Sequence, residues 1–248
     1  MGIYRLIIAI LIILSGCADL NAQPSDSSDT QSLINHQIWI DVYPHFCVND
    51  KLEYYGDAGF RTIVTEKSWN RLYIRPSLRY HFNKTIEAHA GLGFFYIFIK
   101  YDVNRFEITP WQGIRINWPN VSIFSFKHLF RIEERISFLT NNWSSSFDLR
   151  FRYGLSGNIT PCKNCSISKM YIPMYVEFFF PVNDEIEEFF RNRGRAGFGI
   201  GYNVSKDWQY SLLFNWQRSR SGPNDELRVS DYAYQLIIRK YWKYGNSK

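Results

Sequence analysis

The chain has 248 residues, a formal net charge of +6 and an aromatic share of 18%. That length suits one large β domain or two small ones. The charge is too modest and too interleaved with acids to form a nucleic-acid arm, and the aromatic share is high for a soluble enzyme.

Arg5 precedes an unbroken apolar run from Leu6 to Leu14. That run is too short to cross a bilayer as a helix and fits the core of an export signal. Two cleavage readings compete. Leu14-Ser15-Gly16-Cys17 has the form of a lipobox that would leave Cys17 acylated, and Asn21-Ala22-Gln23 has the form of an ordinary signal-peptidase site. The favoured division is a signal peptide over 1–22, a polar low-complexity linker over 23–34 and one barrel domain over 35–244.

From Asn35 onward short alternating segments follow one another, with turn residues between them. The first spans His36 to Phe46, with Trp39 and Tyr43 on one parity. The second spans Lys51 to Val64, with Glu53, Asp57 and Arg61 on one face. The third spans Trp69 to Phe82, where Arg71, Arg75, Ser77, Arg79 and His81 oppose Leu72, Ile74, Leu78 and Tyr80. The fourth sets Glu87, His89, Gly91 and Gly93 against Ile86, Ala88, Ala90 and Leu92. The fifth, Arg105 to Asn117, sets Glu107, Trp111 and Arg115 against Phe106, Ile108, Ile114 and Ile116.

The sixth has a densely ionic face. In FKHLFRIEERI, Phe126 to Ile136, the residues Lys127, Arg131, Glu133 and Arg135 share one face, and Phe126, Phe130, Ile132 and Ile136 share the other. The seventh carries Asp148, Arg150 and Arg152, the eighth Glu177, the ninth Arg193 and Arg195 with Gly197, Gly199 and Gly201, and the eleventh Arg239. The tenth opposes Trp208, Tyr210, Leu212 and Phe214 to Gln209, Ser211 and Asn215.

Successive side chains of a strand point to opposite faces. The chain therefore builds a sheet with one apolar and one ionic face. A membrane barrel turns the ionic face inward, whereas a soluble lipocalin-like barrel would turn it to water. The apolar faces span about ten residues, close to the length a tilted strand needs to cross a bilayer. Trp69, Trp118, Trp208, Trp216 and Trp242 near strand ends suggest aromatic girdles. The expected fold is therefore an all-β, transmembrane, antiparallel up-and-down barrel. Eleven segments are countable, but bacterial single-chain barrels are even-numbered, so the expectation is about twelve strands, with ten as second choice. Its lumen is predicted to hold a charge network of Glu53, Asp57, Arg71, Arg75, Arg79, Glu107, Arg115, Lys127, Arg131, Glu133, Arg135, Asp148, Arg150, Arg152, Glu177, Arg193, Arg195 and Arg239.

The order of His128-Leu129-Phe130-Arg131-Ile132-Glu133-Glu134-Arg135, Glu107 with Gln112, Arg150-Phe151-Arg152-Tyr153, Tyr175-Val176-Glu177 and Arg193-x-Arg195-x-Gly197-x-Gly199 resembles the domain of unknown function 2490 family. The resemblance covers Asn35 to Tyr241. It implies an outer-membrane β-barrel of the kind found largely in Bacteroidetes, with no established activity.

Cys162-Lys163-Asn164-Cys165 makes Cys162 and Cys165 candidates for a loop disulfide after export. No second cysteine pair or nearby His completes a metal set, and no cofactor motif is present. Ser77, His81 and His89 lie on one ionic face, which admits a Ser–His lipid hydrolase, yet no G-x-S-x-G accompanies them. The expected role is a non-enzymatic structural or partner-docking barrel; a narrow anion-preferring channel or small-solute transporter is the alternative, and a lipid-modifying hydrolase the second alternative. Expected partners are outer-membrane lipid and lipopolysaccharide and the barrel-assembly machinery, with no nucleic acid, and the barrel is expected to be a monomer in the cell outer membrane.

Overall fold

The computed structural model describes residues 35–64, 69–161, 168–182, 191–220 and 228–242. The expected signal and linker segments, the Cys162–Cys165 loop and most of the acidic loop after Pro181 lie outside them. So does the side chain of Arg193.

The described residues are all β: β1 (Asn35–Cys47), β2 (Leu52–Tyr55), β3 (Asp57–Ile63), β4 (Trp69–Arg75), β5 (Ser77–His81), β6 (Ile86–Ile99), β7 (Arg105–Asn117), β8 (Phe124–Leu139), β9 (Ser145–Ile159), β10 (Met170–Pro181), β11 (Arg191–Asn203), β12 (Trp208–Arg220) and β13 (Arg228–Trp242). They form one sheet that closes where β13 pairs with β1.

The thirteen strands make eleven rows. β2 and β3 pair with β1 in one continuous register (His45↔Tyr55, then Val42↔Ala58). β4 and β5 pair with β6 in the same way (Ile74↔Phe94, then Ser77↔Gly91). Each break is one residue wide and falls where Pro44, Gly56 and Pro76 come level in the three rows. Proline has no N–H to donate to the ladder, so two of the three rows lose a donor at one height. The Gly56 amide still reaches the Pro44 carbonyl at 3.3 Å, and the Leu92 amide reaches the Pro76 carbonyl at 3.0 Å.

The barrel therefore has eleven rows and not the expected twelve or ten. Rows alternate in direction, so the first and eleventh point the same way, and closure is parallel: Asn35 lies level with Asp231 and Phe46 with Trp242. Every other contact between rows is antiparallel. An odd row count can close only in this way.

Large apolar side chains point outward, among them Ile40, Leu72, Ile74, Ile114, Phe147, Phe198, Ile200 and Leu212. Asp41, Glu53, Asp57, Glu87, Glu107, Arg131, Glu133 and Asp148 are buried inside. This is the opposite sidedness to a soluble barrel. Aromatics are divided between the faces. Trp118, Trp208 and Trp242 are exposed. Trp69, expected in a girdle, turns inward instead at 8% exposure and packs with Ile63, Ile97 and Ile99. Trp69 sits at the inward parity of β4, and its neighbours there are apolar, so position along the strand does not decide its side.

The inward glycines of β11 receive aromatic rings. Tyr175 lies level with Gly197 and Tyr171 with Gly201, and a Cβ at Gly201 would overlap the Tyr171 ring. The hydroxyls then reach across to β12, Tyr175 donating to Asn215 Oδ1 at 2.6 Å and Tyr171 bonding Ser211 Oγ at 2.6 Å. The missing side chains at Gly197 and Gly201 leave the room that these rings fill. Gly201→Val is expected to destabilise the barrel by about 1–3 kcal/mol through overpacking, read as a lower midpoint in urea unfolding. An unchanged midpoint would show that the ring swings away without cost.

Candidate functional site

The candidate site is the barrel interior. One rim carries the turn segments 48–51, 82–85, 118–123 and 204–207. At this rim the registered neighbours Glu53↔Arg79 and Glu87↔Arg115 form ion pairs at 3.0 and 3.2 Å. Arg79 also reaches Glu87 at 3.6 Å. His45 Nδ1 lies 2.7 Å from Glu53, and His81 lies 3.4 Å from Glu53 and 3.3 Å from Glu87.

The waist is denser. Asp57 and Arg75 face one another across β3 and β4 and bond twice, at 3.0 and 2.5 Å. Such forked guanidinium–carboxylate pairs fix orientation as well as charge. Glu133 is the hub. It accepts from Arg150 at 2.8 and 2.5 Å, Arg131 at 3.3 Å and Arg152 at 3.5 Å. Arg152 also donates to Glu177 at 2.5 Å, and Arg195 lies 3.5 Å from the other oxygen of Glu177. Toward the other rim, Arg135 donates to Glu107 at 3.1 and 2.6 Å and to Asp148 at 3.4 Å.

Rings pack among the guanidiniums. Arg131 lies 3.9 Å over Trp111, Arg61 4.1 Å over Trp39 and Arg79 4.3 Å over Tyr55. A cation on an aromatic face gains electrostatic attraction with little loss of packing. Between these layers remains a cavity of about 630 Å³. Eleven of the side chains that line it are Lys or Arg, against the carboxylates of Glu107, Glu133 and Glu177.

Of the expected lumen residues, every one with a described side chain points inward. Arg71 lines the cavity near the β3–β4 wall, and Lys127 and Arg239 line it near the short-turn rim. Asp41, Arg61 and Tyr73 belong with them although the expected set omitted them. Tyr73 donates to Asp41 at 2.6 Å, and Arg61 lies 3.9 Å from the same carboxylate. The signal was present, since Asp41 shares the parity of Trp39 and Tyr43, and Arg61 that of Glu53 and Asp57.

The Ser–His pair does not form. Ser77 lies level with Gly91, while His89 lies level with Arg79. The Ser77 hydroxyl donates to the Tyr55 carbonyl, and His89 Nε2 sits 3.3 Å from Glu87. Ser77 and His81 are four residues apart on one strand, about 13 Å along its axis. Outside the barrel, His128 bonds the Tyr153 hydroxyl at 2.8 Å.

A closed β-barrel with an apolar exterior and an ion-paired interior is the class these features define. The chain belongs to the family described as protein of unknown function (DUF2490), whose model matches residues 36–228. That span holds all of the interior charge pairs above, and Arg239 lies beyond it. No curated protein matches the chain.

Proposed function

We propose that the protein is an outer-membrane β-barrel with a structural or partner-docking role. In this reading residues 1–22 direct export, 23–34 link, and 35–244 form the barrel. The observation that carries it is the sidedness of the sheet. Outward Ile, Leu and Phe side chains band the wall, and the arginines lie inside it. An arginine on a lipid-facing midplane position costs about 2–4 kcal/mol, so this distribution suits lipid outside. Lipid and lipopolysaccharide are then the neighbours of the apolar band. The barrel-assembly machinery is the partner in insertion. A closed sheet offers no free edge for strand pairing, in keeping with a monomer.

The test is fractionation with heat-modifiable gel mobility. A folded species that stays with outer membranes and shifts on boiling is expected. A protein released to the periplasm without detergent would end the membrane reading.

A second reading is a narrow anion-preferring passage. It is favoured by the 630 Å³ cavity and its excess of basic side chains, since rings of Arg and Lys select for anions. The docking reading predicts no stepwise current in planar bilayers, because paired arginines and carboxylates from successive rows crowd the waist. Anion-selective steps would establish the passage instead.

A further inference from the structure

The interior charges at the short-turn rim do not balance. Two carboxylates face the lumen there, Glu53 and Glu87. Arg79 holds both of them, at 3.0 and 3.6 Å, and Arg115 holds Glu87 at 3.2 Å. His45 and His81 crowd the same two carboxylates. Two further cations stand at this level. Lys127 is three residues from the start of β8, and Arg239 is three residues from the end of β13. Both line the cavity.

Among the described residues, neither Lys127 nor Arg239 has a carboxylate within ion-pair distance. Arg239 leans on neutral acceptors, Ser211 Oγ at 3.2 Å and Gln209 Oε1 at 3.4 Å. Lys127 lies within electrostatic reach of the like charges of Arg115, Arg79 and Arg239 and of the opposing charge of Glu87. A cavity that concentrates cations of one sign between low-dielectric walls focuses its potential and draws counter-ions. Elsewhere in the lumen Asp57, Glu107, Glu133 and Glu177 each bond an arginine closely. Among the described residues, Lys127 and Arg239 have no such carboxylate partner at this rim.

We infer that Lys127 and Arg239, which line the cavity from opposite walls, with Arg115 on the strand next to Lys127, form a binding site for a phosphate-type oxyanion inside the short-turn end of the lumen. The ammonium of lysine serves as a point charge for phosphate, and guanidinium supplies a planar fork of donors. Ser156, level with Lys127 on the neighbouring strand, and Tyr241, two residues from Arg239, add hydroxyl groups to the lining. The ligand chemistry is that of a phosphate or pyrophosphate ester, whether free in solution or carried on a headgroup. The site depends on the barrel interior and not on where the barrel resides, so it goes beyond the location and role proposed above.

The experiment is calorimetric titration of inorganic pyrophosphate into the purified full chain, folded in neutral detergent, with gel mobility as the check of folding. Saturable binding is expected for the wild type. Affinity should fall about tenfold or more in Lys127→Gln and in Arg239→Gln, because each loses a charged hydrogen-bond donor. Lys240→Gln, which removes a charge paired with Asp207 at 3.6 Å outside this site, should leave it unchanged. Lys127→Arg should keep most of the affinity, and it covers the case in which Lys127→Gln fails to fold. A parallel arm compares nanodiscs of phosphatidylcholine with and without phosphatidylglycerol. Competition by phosphatidylglycerol that depends on Lys127 assigns the site to a headgroup, and its absence assigns it to a free anion. Absence of pyrophosphate binding to the wild type, or equal loss in Lys240→Gln, would overturn the inference.

Discussion

Glu133→Gln should destabilise the folded barrel by about 3–5 kcal/mol, the cost of stranding buried charge when one partner of a buried pair is removed. Glu133 is only 2% exposed. It is the shared acceptor of Arg131, Arg150 and Arg152. Glutamine keeps the shape and one acceptor oxygen but removes the charge that holds three guanidiniums together. Its NH2 group would also point a donor at donors. The loss should appear as a lower urea midpoint with an unchanged slope. The double variant Glu133→Gln with Arg150→Met should lose less than the two single changes together, since residues in one ion-pair network couple. A loss for Glu133→Gln of no more than about 1 kcal/mol, the range of exposed pairs, would show that water fills the waist and screens it.

The second large effect concerns the outside wall. Phe198 is 60% exposed near the middle of β11 and stacks edge-on with Phe214, its neighbour in register. In a bilayer, Phe198→Arg should cost about 2–4 kcal/mol more than Phe198→Ala, because the guanidinium must displace lipid or snorkel. In water the same comparison should fall within about 0.5 kcal/mol, as for ordinary surface positions. Measured by refolding into vesicles of neutral lipid, the difference separates a lipid-facing wall from a wetted one. A cost near zero in vesicles would remove the physical basis for placing lipid against this face.

Much of this could be read from the chain because β structure writes its faces into alternate residues. The segment Arg105 to Asn117 coincides with β7, and in FKHLFRIEERI the residues Lys127, Arg131, Glu133 and Arg135 line or face the cavity. What alternation cannot carry is the lateral order. The meeting of Pro44, Gly56 and Pro76 is a coincidence of register across three rows, invisible along any one of them. The same holds for Ser77 and His89, which share a face but stand level with other partners. Tyr73 reaches Asp41 across the row of β3 at Gly59, a lateral contact that the parity of Asp41 does not give. The count of eleven segments was itself legible, and the rule of even numbers displaced it. Rows that alternate in direction do not forbid an odd total; they require only a parallel closing pair.

That closing pair has a consequence for the two tails of the chain. In an even barrel the entering and leaving ends share a face. Here β1 begins beside the start of β13, at the rim opposite the short turns, and β13 ends beside the end of β1, at the short-turn rim. Asn35 therefore stands at one rim and Trp242 at the other. If lipid surrounds the wall, the two ends of the barrel wall, Asn35 and Trp242, open onto opposite sides of it.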